Sequence, residues 1–225
     1  DMPISIENEI LIKEERDIEK IKIKTWKEYI RDGQIEPVKK VLEEVGEDAF
    51  IAGTAANQSM NFLVSMRGPQ QALIDLIDNP KLSHSIMELG TEISIQVGYA
   101  LIEAGVDAIY IGDAWASSTV ISPQQYREFC FPYHKKATEA FHKRGVPVYL
   151  HICGNCMPIL EYMVETGVDG IEPLDPLGGV DIGEVKRRVG DRVCLKGGVN
   201  TLTLLKGTPE DVMREVRYCI EKAGK

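Results

Sequence analysis

The segment EAGVDAIYIG, residues 103–112, decides the predicted fold, because its pattern occurs three times in the chain. Its order of glutamate, glycine, aspartate and then small and apolar residues returns in EVGEDAFIAG (44–53) and ETGVDGIEPL (165–174). Each copy indicates a helix that ends at glycine, a short turn and a strand. The same scheme fits KRGVPVYLHICG (143–154) and RVGDRVCLKGG (188–198). The chain is therefore predicted to be built from repeated βα units.

Five short, mainly apolar strands are expected after these glycines, as in a parallel sheet covered by helices. They are AFIAGT, AIYIGD, VPVYLHI, GIEPLD and VCLKGG. Helices are predicted over 81–105, over 122–145 with Ser122 as N-cap, and over 208–224 with Thr208 as N-cap. Before Phe50, the sequence suggests only a hairpin in ENEILIKEERDIEKIKIKTW (7–26) and a helix in PVKKVLEEVG (37–46).

Alternating strands and helices leave two architectures, an open doubly wound sheet or a (β/α)8 barrel. We favour the TIM barrel because polar residues stand at the end of one strand after another, which would place them at one mouth. These residues are Asn57, Asp113, His151, Cys153, Glu172, Asp175 and Asn200. We predict an α/β fold with one barrel domain over residues 1–225. Five strands are fewer than eight, so we expect a fragment that is incomplete at both ends.

Composition and charge argue against two classes of partner. The chain has 225 residues, a net charge of −9 and a pI near 5.1, and such acidity opposes binding to nucleic acid. No apolar run has the 18 or more residues of a membrane span, and the N-terminus lacks a signal-peptide pattern. We expect a cytoplasmic protein. Its odd number of cysteines, five, does not suggest a disulfide framework.

The motif HICGNC, residues 151–156, contains the strongest candidates for metal binding. His151 and Cys153 are two residues apart on a strand, so both side chains point to one face, and together they form a typical zinc-binding pair. The alternative is a hydrogen-bonded histidine beside a buried cysteine. Cys156 completes a C-x-x-C pattern, which leaves open a redox pair, a third ligand or a plain helix start.

Other residues at strand ends are candidates for catalysis or cofactor binding. Glu172 could act as a catalytic group and a labile metal ligand, or satisfy the following loop. Asp113 could orient or protonate a substrate and contact a cofactor, or cap a helix. Asn57, Gly197 and Asn200 are predicted to contact a cofactor. The two asparagines are polar residues that follow strands, and Gly197 would let a ligand approach the backbone. The remaining cysteines, Cys130, Cys194 and Cys219, are expected to be small core residues.

Three stretches carry a resemblance to a known family. They are GVDAIYIGDAWASSTVISPQQYREFCFPYHKKATEAFHKRGVPVYLHICGN (105–155), GVDGIEPLD (167–175) and VCLKGGVNTLTLLKGTPEDVMREV (193–216). In order and spacing they resemble the uroporphyrinogen decarboxylase superfamily over about residues 48–222. The resemblance implies a (β/α)8 barrel, in agreement with the prediction above.

The motif HICGN resembles one branch of that superfamily, the cobalamin-dependent methyltransferases such as the methylcobamide:coenzyme M methyltransferases. Members of this branch carry H-x-C-G and bind zinc through its histidine and cysteine, which implies these roles for His151 and Cys153. Another cysteine ligand comes from their last barrel strand, which is expected beyond Lys225. True uroporphyrinogen decarboxylases use no metal and lack the pair. The chain departs from the family at GGVN, where G-N-V-D is frequent.

The resemblance implies a zinc-dependent methyltransferase that moves a methyl group between a corrinoid and a thiol-type acceptor. Its cofactors would be Zn²⁺ and a corrinoid such as methylcobalamin, and its partners a small-molecule thiol and a corrinoid protein. Two alternatives stay open. One is a uroporphyrinogen decarboxylase in which Asp113 steers the pyrrole NH groups, and the other is a non-catalytic module that binds a tetrapyrrole or corrinoid.

Overall fold

The centre of the computed structural model, which describes residues 10–224, is a five-stranded parallel sheet. Its strands lie side by side in chain order: β1 (Ala52–Thr54), β2 (Ala108–Gly112), β3 (Val148–His151), β4 (Gly170–Leu174) and β5 (Cys194–Gly197). The five predicted strands and the α/β class are therefore confirmed. Because β1 and β5 are the edges of the described sheet, closure into a barrel stays a prediction.

Helices connect the strands. Residues 10–224 contain α1 (Glu15–Ile18), α2 (Trp26–Arg31), α3 (Glu36–Val45), α4 (Ser59–Arg67), α5 (Pro69–Asp78), α6 (Pro80–Ala104), α7 (Pro123–Gln125), α8 (Phe131–His142), α9 (Leu160–Glu165), α10 (Ile182–Val189), α11 (Thr201–Lys206) and α12 (Pro209–Ala223). The predicted caps are present, since the side chains of Ser122 and Thr208 accept backbone N–H bonds at the starts of α7 and α12. No helix between residues 10 and 224 is long and apolar enough to cross a membrane.

The two faces of the sheet differ in what covers them. On β3, Val148 and Leu150 are buried, whereas the alternating residues Tyr149 and His151 are only partly buried. Side chains of successive strand residues point to opposite faces, so one face packs against helices and the other is open. The buried face belongs to one apolar cluster that includes residues from Ile12 to Val193. We call the other side the open face.

The predicted hairpin over 7–26 is wrong for the residues that the structure describes. Residues 10–26 contain α1 and the first residue of α2 and no strand, while residues 7–9 lie outside the described part. Helix capping explains the difference, because the Thr25 side chain accepts the Glu28 N–H and the Glu28 carboxylate accepts the Thr25 N–H at 2.9 Å. This capping box starts a helix where alternating hydrophobic residues suggested a strand.

Candidate active site

The carboxyl ends of β3 and β4 bring His151 and Glu172 together. The register of these parallel strands pairs the two residues directly. The imidazole Nδ1 lies 3.0 Å from the carboxylate Oε1. The His151 side chain is 25% exposed and the Glu172 side chain 9% exposed, so a ligand on the open face can reach the ring. The expected proximity is present, and a metal-binding or catalytic role for either residue stays a prediction.

Lys196, on β5, extends this pair into a row of three polar side chains. Its Nζ lies 2.5 Å from Glu172 Oε2 and 4.9 Å from the centre of the Tyr149 ring. The hydrogen bond from this ammonium to Glu172 raises the pKa of Lys196 above its usual value. A cavity of about 330 Å³, with Phe50, Tyr149 and Lys196 among its lining residues, lies toward the amino ends of the strands and is not lined by His151 or Glu172.

Tyr110 on β2 completes the surroundings of His151. Its ring centre lies 5.4 Å from that of His151 and 5.3 Å from that of Tyr149. Burial, together with the nearby Glu172 carboxylate, raises the pKa of Tyr110 to about 12, so its hydroxyl keeps its proton near neutral pH. The sequence reasoning did not select Tyr110, Tyr149 or Lys196. Strand alternation could have indicated them, because the side chains of all three lie on the same face of the sheet as His151 and Glu172.

Cys153 follows β3 in a loop that neighbouring loops hold in place. The Ser118 N–H donates to the Asn155 carbonyl at 2.9 Å, and the Asn155 N–H donates to Thr119 Oγ1 at the same distance. Gly154 has a φ of +85°, a conformation that favours glycine. Hydrogen bonds therefore fix the backbone of the loop that carries the half-buried Cys153.

The other cysteines differ in burial. Cys156 is buried at the turn that precedes α9, and this burial raises the pKa of its thiol to about 11. A thiol of this kind is neither ionised nor accessible near neutral pH, which disfavours the redox-pair and ligand readings. Cys130 is buried as expected. The prediction that Cys194 is a core residue is wrong, because Cys194 is exposed on the edge strand β5.

Asp113 directly follows β2 and is completely buried, and its side chain reaches the first turn of α4. Its carboxylate accepts the backbone N–H of Met60 at 3.2 Å and of Asn61 at 2.7 Å, and it lies 3.0 Å from His134 Nε2. His134 in turn contacts the Tyr126 hydroxyl at 3.1 Å through Nδ1. These contacts fit the helix-cap alternative, and a catalytic or cofactor-binding role for Asp113 stays a prediction.

The remaining cofactor-binding candidates lie in loops or at strand ends. Asn57 is half-buried in the loop after β1. Gly197 packs against β4 so closely that a Cβ would lie 2.6 Å from the Leu174 nitrogen. The Asn200 side chain caps α11 by accepting the Leu202 N–H at 2.8 Å. The structure gives Gly197 and Asn200 local structural contacts, and cofactor binding by all three residues stays a prediction.

The fit to zinc can be judged from the donor set. Imidazole, thiol and carboxylate are the zinc ligands that proteins use, and His151, Cys153 and Glu172 supply one of each. Within residues 10–224, however, no three His, Cys, Asp or Glu side chains converge closely enough to hold a metal ion. The described part of the chain therefore supplies donors of the right chemistry without forming a three-ligand site.

A family model adds the decisive observation. The model of the uroporphyrinogen decarboxylase (URO-D) family matches residues 3–225. The chain belongs to the URO-D family. The fold and the expected resemblance agree with this membership.

The relatives of this chain carry the names of two different enzymes, a decarboxylase and a methyltransferase. The chain is 36% identical over 149 residues to a uroporphyrinogen decarboxylase of Chlorobium phaeovibrioides, which covers 65% of this chain and 40% of the relative. It is 30% identical over 198 residues to the methylcobamide:CoM methyltransferase MtaA of Methanosarcina barkeri, with 83% and 54% covered. The chain thus spans about half, or less, of the length of these relatives.

A solved methyltransferase structure is also similar to this chain. A methyltransferase from Methanosarcina mazei matches with a TM-score of 0.75 and 28% sequence identity, over 84% of this chain and 54% of that one. The suspected resemblance to the methyltransferase branch is therefore supported, alongside similarity to decarboxylases.

Proposed function

We propose that this URO-D family chain belongs to a zinc-dependent methyltransferase that moves a methyl group between a corrinoid and a thiol-type acceptor. The observation that carries the proposal is the H-x-C-G motif at the carboxyl end of β3, with His151 on the open face beside Glu172. Similarity to the methylcobamide:CoM methyltransferase of Methanosarcina barkeri supports the same reaction.

His151 and Cys153 would hold the zinc, and Glu172 is the candidate for a labile ligand. A free thiol has a pKa of about 8.5 and is mostly protonated near neutral pH; zinc, when bound, would supply an ionised thiol at this position. A corrinoid, when bound, would supply the methyl group with cobalt as the leaving group, and the acceptor sulfur held at His151 and Cys153 would be the nucleophile.

The residues of this chain would orient the acceptor and exclude water. Tyr110 and Tyr149 flank the His151 and Glu172 pair with aromatic rings, and low water content strengthens the electrostatic interactions of the site. Asn57, Asp113, Gly197 and Asn200 remain the candidates for contact with the corrinoid. The proposed partners are a small-molecule thiol and a corrinoid protein, and the proposed location is the cytoplasm.

A second candidate is a uroporphyrinogen decarboxylase. It is favoured by the 36% identity to the enzyme of Chlorobium phaeovibrioides, and it needs no metal. In this case a tetrapyrrole would lie on the open face and lose CO₂ from its acidic side chains. The two candidates differ in metal content and in product, so one set of assays separates them.

The test compares the purified full-length protein with its Cys153→Ser variant. Zinc content is measured by elemental analysis, and loss of methylcobalamin absorbance is followed after addition of thiols such as coenzyme M. We expect stoichiometric zinc and thiol-dependent demethylation, both reduced in Cys153→Ser. A metal-free protein that decarboxylates uroporphyrinogen would establish the second candidate instead. Spectral binding of a corrinoid without turnover or zinc would indicate a binding module.

A further inference from the structure

Glu172 has both carboxylate oxygens engaged by side chains from the two neighbouring strands. Oε1 lies 3.0 Å from His151 Nδ1 on β3, and Oε2 lies 2.5 Å from Lys196 Nζ on β5. The three side chains form a continuous row across β3, β4 and β5, and Glu172 is the buried member in the middle. Nothing in the motif HICGN or in the resemblance assigns a role to Lys196.

The donor and acceptor roles in this row follow from the chemistry of its members. A lysine ammonium only donates hydrogen bonds, and an ionised carboxylate only accepts them. The bond between Glu172 and His151 therefore requires a proton on Nδ1. In a neutral imidazole that carries this proton, the lone pair available to a ligand is on Nε2.

We propose that Lys196 and Glu172 are positioning residues that fix the His151 ring and leave its Nε2 free to bind a ligand. Metal-binding histidines commonly donate their other ring N–H to a carboxylate, which orients the ring and makes it a better ligand. Here Lys196 holds the carboxylate and the carboxylate holds the ring. The proposal rests on the proposed function in one respect, that the ligand received by Nε2 is zinc.

Neighbouring aromatic rings support this arrangement. The Lys196 ammonium lies over Tyr149, and such a contact between a cation and an aromatic face is attractive. Tyr110 stands beside the His151 ring with an angle of 58° between the ring planes. Lys196 and His151 are thus each placed by a second contact besides Glu172. Because both oxygens of Glu172 are already engaged, the arrangement favours a positioning role for Glu172 over the labile-ligand role named under the proposed function.

Zinc affinity distinguishes a Glu172 that positions the His151 ring from a Glu172 that binds zinc directly. Zinc binding is measured by competition with a chromophoric chelator in the wild type, in Lys196→Met and in Glu172→Ala, with Lys206→Met as the matched control on an exposed helix residue. A carboxylate that orients a metal-binding histidine contributes roughly 10-fold to 100-fold in affinity. We expect losses of this size in Lys196→Met and Glu172→Ala and none in Lys206→Met. Unchanged zinc binding by Lys196→Met would overturn the proposal, because Lys196 would then not position the ring. Tighter binding would overturn it as well, because Lys196 would then compete with zinc for Glu172.

A second measurement needs no metal and no activity. The ¹⁵N NMR shifts of His151 in metal-free protein, in mildly alkaline buffer, report which ring nitrogen carries the proton. We expect the Nδ1–H form in the wild type and a change of population in Glu172→Ala. A wild-type His151 that carries its proton on Nε2 would contradict the proposal. If the wild type binds no zinc, the proposed function loses its metal, whereas the NMR result still decides whether Glu172 and Lys196 position the ring.

Discussion

The backbones of Gly154 and Gly178 are in direct contact, so that a Cβ on Gly178 would lie 2.7 Å from the Gly154 Cα and closer still to its carbonyl group. The loop after β4 is therefore packed against the loop that carries Cys153. The contact leaves no room for a side chain, and real Cβ atoms do not approach backbone at this distance. The position of Cys153 depends on a glycine 25 residues further along the chain.

The variant Gly178→Ala tests this dependence. The added methyl group must displace the Gly154 backbone, and overpacking of this kind costs about 1–3 kcal/mol. We expect the free energy of unfolding in urea to fall by that amount. We also expect the rate of Cys153 alkylation to change, because the loop moves.

The adjacent variant Gly179→Ala is the matched control. Gly179 has a φ of +78°, but nothing lies within 4 Å of its would-be Cβ. Its substitution carries only the backbone cost of about 1–2 kcal/mol for a left-handed residue and should leave Cys153 reactivity unchanged. Equal changes in the rate of Cys153 alkylation in both variants would show that the contact between Gly154 and Gly178 does not position the loop.

Cysteine alkylation separates the zinc reading of HICGNC from the redox reading. In native protein at pH 8, iodoacetamide should modify the half-buried Cys153 and the exposed Cys194, while Cys130 and Cys156 stay unmodified until the protein unfolds. Burial keeps Cys156 protonated at this pH, since its pKa is about 11. Peptide mass spectrometry gives the extent of modification. Rapid formation of a Cys153 to Cys156 disulfide under mild oxidation would contradict this prediction.

Asp113→Ala should destabilise the fold strongly. The buried carboxylate accepts two N–H groups at the start of α4 and contacts His134, and each buried donor left without its partner costs about 1–3 kcal/mol. Thermal and urea unfolding provide the measurement, with Asp191→Ala as an exposed control. A variant that unfolds like the wild type and has lost only activity would instead support a catalytic role for Asp113.

The stability of the protein should fall in acid through Asp75. Burial raises the pKa of this carboxyl, but hydrogen bonds from Arg67, Gln71 and Asn79 outweigh burial, so that its net pKa is lowered. A lowered folded pKa means that the ionised form stabilises the fold. This contribution is complete above the unfolded value of about 3.9 and is lost as pH falls through the lower folded value.

Asp75→Asn checks the assignment. Asp75 forms a buried ion pair with Arg67 at 2.5 Å, so the variant should lose about 3–5 kcal/mol of stability at neutral pH, because Arg67 is left without its charge partner. Its free energy of unfolding should also depend less on pH below 4 than that of the wild type. Urea titrations between pH 3 and 7 give both quantities. If the free energy of unfolding of Asp75→Asn depends on pH below 4 as steeply as that of the wild type, other carboxyl groups cause the loss of stability in acid.

Local pattern was sufficient for the strands and the long helices. Apolar runs after a glycine-capped helix predicted β2 and β4, and Thr208 predicted the start of α12, because these signals act within a few residues. The region of α1 and α2 departs from the predicted hairpin, since its alternating isoleucines resemble a strand while the capping box at Thr25 favours a helix. A shared face for His151 and Cys153 stays a prediction from strand alternation, because β3 ends at His151 and Cys153 lies in the loop that follows.

The contacts that define the site needed the packed chain. Lys196 meets Glu172 and His134 meets Asp113 across more than 20 residues of sequence, and no pattern within one strand specifies such a meeting. Register between parallel strands depends on how the connecting helices pack against the covered face of the sheet. Sequence periodicity therefore determines which face of a strand a side chain occupies, whereas long-range packing determines which side chain on the next strand it meets.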